Sequence, residues 1–384
     1  MSSSFIMPKQ IISGAGALKQ AEESLKGLGK KALVVTDEVM IRLGNLAHVE
    51  EALKNCGISY AVYSGISGEP TDAMIAEGLA LYQKEGCDFL AALGGGSPID
   101  SMKAIGALVG NGGLITDYLG KVIEKPTPPM VAVPTTAGTG SEATQFTIIT
   151  DTKRDIKMLL KGAVLMPTLA VIDPQFTVTA PPAITAATGL DALTHAVESY
   201  TSAKAQPLSD VFALSAVKRI FTWLPEAFRN GGNVQAREEM SLAALEAGIA
   251  FNNASVTIVH GMSRPIGALF HVPHGISNAM LLEKCLSYVL DGAYDRFGRL
   301  GREIGVAAAG AGDREAGESF LGAVADICRT CEIPTLQEYG IDRESYVNVI
   351  EKMTEDAMAS GSPSNTRKKI GPEDVRVIYE SLYK

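Results

Sequence analysis

Asp88-Phe-Leu-Ala-Ala-Leu-Gly94-Gly-Gly-Ser-Pro-Ile-Asp100 is the stretch on which the fold turns. A short apolar run of strand length enters three glycines and a Ser-Pro pair, and a helical pattern through Met102, Ile105 and Leu108 runs on to Gly110-Asn-Gly-Gly113. Strand, glycine turn and helix start together make phosphate-binding geometry. Glycines let the backbone approach an anion, Ser97 offers a hydroxyl, and Pro98 suits a first helical turn whose free N–H groups carry partial positive charge.

Outward from this unit, the first half alternates β-branched runs with helical patterns, the mark of βαβ units and a parallel sheet. Strands are expected at Lys31 to Asp37, Ser59 to Tyr63 and Met130 to Pro134, and a hairpin at Gln145–Thr150 with Ile156–Leu160. Leu169 to Asp173 closes the half. Thr135-Thr-Ala-Gly-Thr-Gly-Ser-Glu142 is a loop dense in hydroxyls and glycine that can cradle pyrophosphate or ribose. Gly14-Ala-Gly16 has no third glycine and no strong preceding strand, so it reads as a turn entering a helix.

Beyond Pro181 strand runs vanish. Helices are expected at 183–202, 207–223, 236–252, 279–303, 317–331, 343–358 and 372–382, with Pro225, Gly231-Gly232 and Gly310-Ala-Gly312 as breakers. Two domains follow: residues 1–180, an α/β dinucleotide-binding domain, and residues 181–384, all-helical. The length of 384 residues also exceeds what one core readily serves.

A net charge of −9 with no Lys/Arg cluster argues against nucleic acid or an anionic membrane as partner. No signal-like start and no bilayer-length apolar run are present, so a cytoplasmic location is expected. Cys328 and Cys331 have no second pair to finish a zinc site and read as reduced thiols.

The helical half holds four of the five histidines. In Gly189-Leu-Asp191-Ala-Leu-Thr-His195-Ala-Val-Glu198 the Asp and first His are four apart, so both project from one helix face toward a common cation. His260 and His274 extend the set. One carboxylate and neutral imidazoles suit first-row divalent ions, and such an ion polarises a substrate oxygen as a Lewis acid. Glu198 continues the face and is expected to orient a metal-bound imidazole rather than bind the ion itself.

These residues carry a resemblance. GGGSPID at 94–100, PTTAGTGSE at 134–142, TGLDALTHAVESY at 188–200 and VHGMSRPIGALFHVPHG at 259–275 are similar to the motifs of the iron-containing (group III) alcohol dehydrogenases, from about residue 5 to Arg367. The resemblance implies a Rossmann-like N-terminal domain, an all-α C-terminal domain of the architecture shared with dehydroquinate synthase, and a cleft holding NAD(P) and one metal. It implies Asp191, His195, His260 and His274 as ligands, with Fe2+ the first choice and Zn2+ the alternative. It implies cofactor contacts at Asp37, Gly94, Gly95, Gly96, Ser97, Asp100, Thr135, Thr136 and Thr139. It also implies a homodimer or larger homo-oligomer.

Asp37, at the end of an early strand, suits ribose hydroxyls and repels a 2′-phosphate, so NAD(H) is expected over NADP(H). The chain departs from the family at Arg264, where members often carry a second histidine four residues after the ligand. A guanidinium is no general base near neutral pH. Either His271 takes over proton exchange or Arg264 clamps an anionic substrate group. The expected reaction interconverts a small primary alcohol or diol, or one bearing an acidic group, with its aldehyde. Rival readings are a glycerol or polyol dehydrogenase and a metal- and NAD-dependent lyase of the dehydroquinate-synthase type.

Overall fold

The computed structural model describes residues 2–383, which form two compact units. Ile6–Ala180 make the α/β unit. It runs β1 (Gln10–Ser13), α1 (Ala17–Leu25), β2 (Lys31–Val35), α2 (Glu38–Arg42), α3 (Asn45–Asn55), β3 (Ser59–Tyr63), α4 (Asp72–Glu85), β4 (Phe89–Gly94), α5 (Gly96–Asn111), β5 (Met130–Pro134), β6 (Phe146–Asp151), β7 (Ile156–Lys161) and β8 (Leu169–Ile172). Six strands lie parallel in the order β1-β8-β5-β4-β2-β3, and β6 and β7 pair antiparallel as a separate hairpin. β4 is buried along its whole length because helices cover both faces, which is why it reads as a continuous apolar run.

The chain steps from β2 outward to β3 and then back to β4 on the other side of β2, so the strand order reverses between β2 and β4. In open parallel sheets ligands bind at the carboxyl ends of the strands at such a reversal. β1 was not expected; its four residues are too few for an alternation to register.

The second unit begins at Pro181 and includes the residues just before Ile6. Its helices are α6 (Pro182–Thr201), α7 (Pro207–Arg229), α8 (Val234–Ala254), α9 (Ile258–Phe270), α10 (His274–Val289), α11 (Tyr294–Glu303), α12 (Asp313–Thr330), α13 (Arg343–Val347), α14 (Ile350–Ala359) and α15 (Pro372–Ser381). α6 is its axle: every residue from Gly189 to Thr201 is buried, and α7, α8 and α10 surround it. Ser4 and Phe5 are tied to this unit. The Gln206 amide donates to the Ser4 carbonyl at 3.1 Å, and Phe5 stacks on Phe212 at 5.9 Å. No single helix among the described residues is long and apolar enough to cross a membrane.

Three helical expectations are corrected. Pro225 does not stop α7 but lies in its last turns. The periodicity over 279–303 is two helices, broken where Gly292 sits so close to Lys368 that a Cβ there would come within 2.9 Å of its backbone nitrogen. The stretch 343–358 is likewise two short helices, α13 and α14.

Candidate metal centre and nucleotide cradle

α6 presents Asp191, His195 and Glu198 along one side, and α9 brings in His260. Asp191, His195 and His260 are buried, with ligand atoms all within 4.8 Å of one another. His260 Nε2 and His274 Nε2 each lie 3.7 Å from Asp191 Oδ1. Donors that share one ion at roughly 2.0–2.2 Å stand roughly 3–4 Å apart, so the spacing fits a single first-row cation.

The His195 ring is stacked between Phe251, at 4.2 Å, and His260, at 4.4 Å. Burial pushes its imidazole down to about 3, so it is neutral with a lone pair to give, and its Nδ1 is buried without a hydrogen-bond partner. Burial opposes the charge of Asp191, yet the imidazoles of His195, His274 and His260 hold its carboxyl far below the usual range. Buried carboxylate, neutral imidazole and an orphaned ring nitrogen are the chemistry of a divalent-metal site.

Glu198 does not join the ligands. Its Oε2 meets His260 Nδ1 at 2.5 Å, while Oε1 accepts from the Thr257 hydroxyl at 2.8 Å and from the Val259 amide at 2.6 Å. The carboxylate therefore satisfies the start of α9 and takes the Nδ1 proton, turning Nε2 toward Asp191; against burial, Glu198 and Asp191 together push the imidazole up to about 9. Burial works against its ionised form, and the His260 and Thr257 contacts overcome it, holding the carboxyl below its ordinary value.

His274 opens α10 and is partly exposed, its side chain 44% accessible. Gly275 lets it come near. A Cβ at Gly275 would lie 2.4 Å from the Ala187 carbonyl oxygen, so α10 presses on α6 at a distance only glycine permits. Sequence reasoning missed Asn278, fully buried one turn further along α10, whose amide nitrogen lies 2.7 Å from Asp191 Oδ1. Its i+4 spacing from His274 was the available signal.

Arg264, one turn after His260 on α9, is half-buried, and among the described residues no hydrogen bond or salt bridge holds it. Desolvation lowers its guanidinium pKa, and the nearby Glu198 charge only partly restores it. His271 ends α9 in the left-handed region, φ 54°, and is exposed.

In the α/β unit, Asp37 follows β2, Gly94 ends β4 with Gly95, Gly96 and Ser97 after it, and Thr135, Thr136 and Thr139 follow β5: the carboxyl ends of three adjacent parallel strands flanking the reversal. Gly94 has φ 154°, and a Cβ on it would strike the Pro98 ring at 2.4 Å. A Cβ on Gly96 would lie 3.1 Å from the Thr139 methyl, so the two loops lean together without side chains between them. Asp37 caps α2, accepting from the Met40 amide at 2.9 Å through one carboxylate oxygen. Asp100 is turned to the hairpin instead, its carboxylate accepting from the Ile148 amide at 2.8 Å. Beneath, the fully buried Lys103 donates to Thr144 and Phe146 at 2.8–2.9 Å, tying α5 to the start of the hairpin.

The family model for iron-containing alcohol dehydrogenase matches residues 8–174, and that for the C-terminal part of the Fe-containing alcohol dehydrogenase family matches residues 185–383. The chain is 37% identical over 366 residues to an NAD-dependent methanol dehydrogenase of Bacillus methanolicus, covering 94% of this chain and 96% of that one. A solved 1,3-propanediol oxidoreductase superimposes with a TM-score of 0.95 at 34% identity over all of both chains. A sulfoacetaldehyde reductase from Bifidobacterium kashiwanohense, solved in complex with NAD+, gives 0.89 at 27% identity, covering 100% and 99%. The chain belongs to the iron-containing alcohol dehydrogenase family, and it is an oxidoreductase acting on CH–OH groups.

Proposed function

We propose that the protein is a metal-dependent, NAD(H)-linked alcohol dehydrogenase or aldehyde reductase that interconverts a small primary alcohol or diol with its aldehyde. The observation that carries this is the meeting of Asp191, His195 and His260 within 4.8 Å in a buried place with His274 at its edge. Asp191, His195, His260 and His274 would hold a divalent ion, Fe2+ first and Zn2+ second, which would supply Lewis acidity for a substrate oxygen, with a bound NAD(H) supplying the hydride chemistry.

The chain's own residues do the rest. Asp191 supplies the negative charge, the imidazoles supply lone pairs, Glu198 orients His260, and Phe251 covers one face of His195 against water. His271, exposed beside the ligand-bearing turn, exchanges the hydroxyl proton with solvent. Gly94–Ser97 and Thr135, Thr136 and Thr139 hold the pyrophosphate and ribose, and the second oxygen of Asp37 is left for the adenosine ribose. Asp100 acts from below, by fixing the hairpin. The enzyme works in the cytoplasm as a homodimer or larger homo-oligomer.

Metal analysis of anaerobically purified protein, with an alcohol and aldehyde panel followed by NADH absorbance, tests the reading. His260→Ala and His274→Ala lose metal and turnover together; full metal content in both overturns the site. NADH outperforms NADPH in kcat/KM, and Asp37→Gly narrows that gap; an unchanged ratio removes Asp37 from the cofactor contacts.

Arg264 favours a narrower substrate class, an aldehyde bearing a carboxylate, sulfonate or phosphonate, because among the described residues no salt bridge or hydrogen bond holds its half-buried guanidinium. Arg264→Ala lowers kcat/KM on such substrates by about 10-fold or more, the worth of one charge-assisted hydrogen bond, and spares neutral ones. An equal loss on both dismisses the clamp.

A further inference from the structure

Lys103 stands two turns into α5, the helix whose first turn carries Gly96 and Ser97, and it is fully buried. Its ammonium places its protons on neutral oxygens: the Thr144 carbonyl at 2.8 Å, the Thr144 hydroxyl at 2.9 Å and the Phe146 carbonyl at 2.9 Å. A methionine would fill the same room without the cost of desolvating an ammonium, so packing alone does not account for a lysine here.

The contacts lead to the nucleotide cradle. The Thr144 hydroxyl passes its own proton to the Ser141 carbonyl at 3.3 Å, and the Ser141 amide donates to the Thr139 hydroxyl oxygen at 3.3 Å. A hydroxyl that accepts from behind keeps its proton for what lies in front. Asp100, one turn before Lys103 on α5, grips the same segment: its carbonyl accepts from the Thr147 hydroxyl at 2.8 Å, and its carboxylate accepts from the Ile148 amide at 2.8 Å and from the Ser141 side chain. Thus α5 governs both walls of the cradle, beginning in the glycine turn and holding, through Lys103 and Asp100, the chain that leaves the loop after β5. The walls have little slack, since the Thr139 methyl lies 3.1 Å from where a Cβ on Gly96 would be.

We propose that Lys103 is a positioning residue for the dinucleotide: from inside the α/β unit it sets the loop after β5 against the glycine turn, so that the Thr139 hydroxyl presents its proton to the pyrophosphate. The lysine touches no cofactor atom. It acts through Thr144, Ser141 and Thr139 in turn, and its effect falls on the phosphate-bearing part of the ligand. Asp37, which is left for the adenosine ribose, follows a different strand and lies outside this relay.

The role assigned to Lys103 rests on the reading of the cradle as the dinucleotide site, and the experiment separates the two. NADH is titrated by its fluorescence, and ADP and adenosine by calorimetry, against the wild type, Lys103→Met, Thr144→Val and Thr139→Ala. Lys103→Met is expected to bind NADH and ADP about 10-fold or more weakly, the worth of one charge-assisted hydrogen bond, and adenosine as the wild type does. Thr144→Val keeps the buried ammonium and both carbonyl acceptors, so it folds where Lys103→Met does not; it weakens NADH and ADP by about 5-fold, one neutral hydrogen bond, and again spares adenosine. Equal losses for ADP and adenosine in both variants overturn the proposal, because the lysine would then serve only the stability of the fold. NADH and ADP affinities that match the wild type in either variant overturn it too. If Thr139→Ala weakens NADH while neither other variant does, the cradle stands and the relay falls; if Thr139→Ala binds NADH and ADP like the wild type, the cradle reading itself falls and the relay with it.

Discussion

Glu198 shows how much one side chain can settle. It is fully buried, it touches no proposed substrate atom, and it satisfies the start of one helix and the ring of one ligand at once. Removing its charge while keeping its shape separates these duties. Glu198→Gln is expected to weaken metal binding about 10- to 100-fold, the range found when partners of metal-bound imidazoles are lost. Chelator competition measures it, and metal affinity equal to wild type would show that His260 needs no such partner. The sequence placed Glu198 on the ligand face and outside the ligand set; its grip on Thr257 and Val259 was not legible, because those residues lie about 60 positions away and the contact to Val259 runs through its backbone amide, which no side-chain pattern marks.

At the scale of elements, the metal centre is made by the approach of α10 to α6. Gly275 is where they touch, and a Cβ there has only backbone to meet. Gly275→Ala should therefore push His274 away from Asp191 with the cofactor loops untouched. Metal affinity falls by about 10-fold or more while NADH binding, followed by fluorescence titration, is unchanged; a variant with full metal content would show that α10 has slack. The elements that sequence patterns expose are those with uninterrupted periodicity. β4 and its glycine turn are one case, and α6 is another. α9 was not expected, because Gly261, Pro265 and Gly267 interrupt its pattern and its start depends on a carboxylate from another helix. The divisions at Gly292 and between α13 and α14 were hidden for the opposite reason, since the apolar period carries on across a break that tertiary contact imposes. Asn278 was hidden by chemistry: carboxamides are too common in helices to signal a metal site.

For the molecule as a whole, the buried charges of the α/β unit predict a pH response. Burial pushes the Glu142 carboxyl up to about 7 despite Lys103, and pushes the Lys103 ammonium down to about 8 despite Asp100 and Glu142. For Glu142 the folded state prefers the proton, so its contribution is full below the ordinary carboxylate range and is lost as pH rises toward 7. For Lys103 the folded state prefers to release the proton, so stability is regained as pH climbs from about 8 toward the ordinary lysine value. Urea unfolding of the α/β unit should thus show a loss on the order of 3 kcal/mol between pH 4.5 and 7 that Glu142→Gln abolishes. A wild-type-like profile in Glu142→Gln would place the titration elsewhere.

The attachment of Ser4 and Phe5 to α7 carries a consequence for the order of synthesis. Ser4 and Gln206 are 202 residues apart, and the whole α/β unit is made between them. At roughly 5–20 residues per second, a nascent chain waits roughly 10–40 s before Ser4 and Phe5 can find their partners. During that interval the α/β unit can already fold, since its sheet and hairpin are complete by Ile172, whereas the helical unit cannot close its seam with Phe5 until α7 has left the ribosome. Ser4 and Phe5 are made before the α/β unit and placed after it.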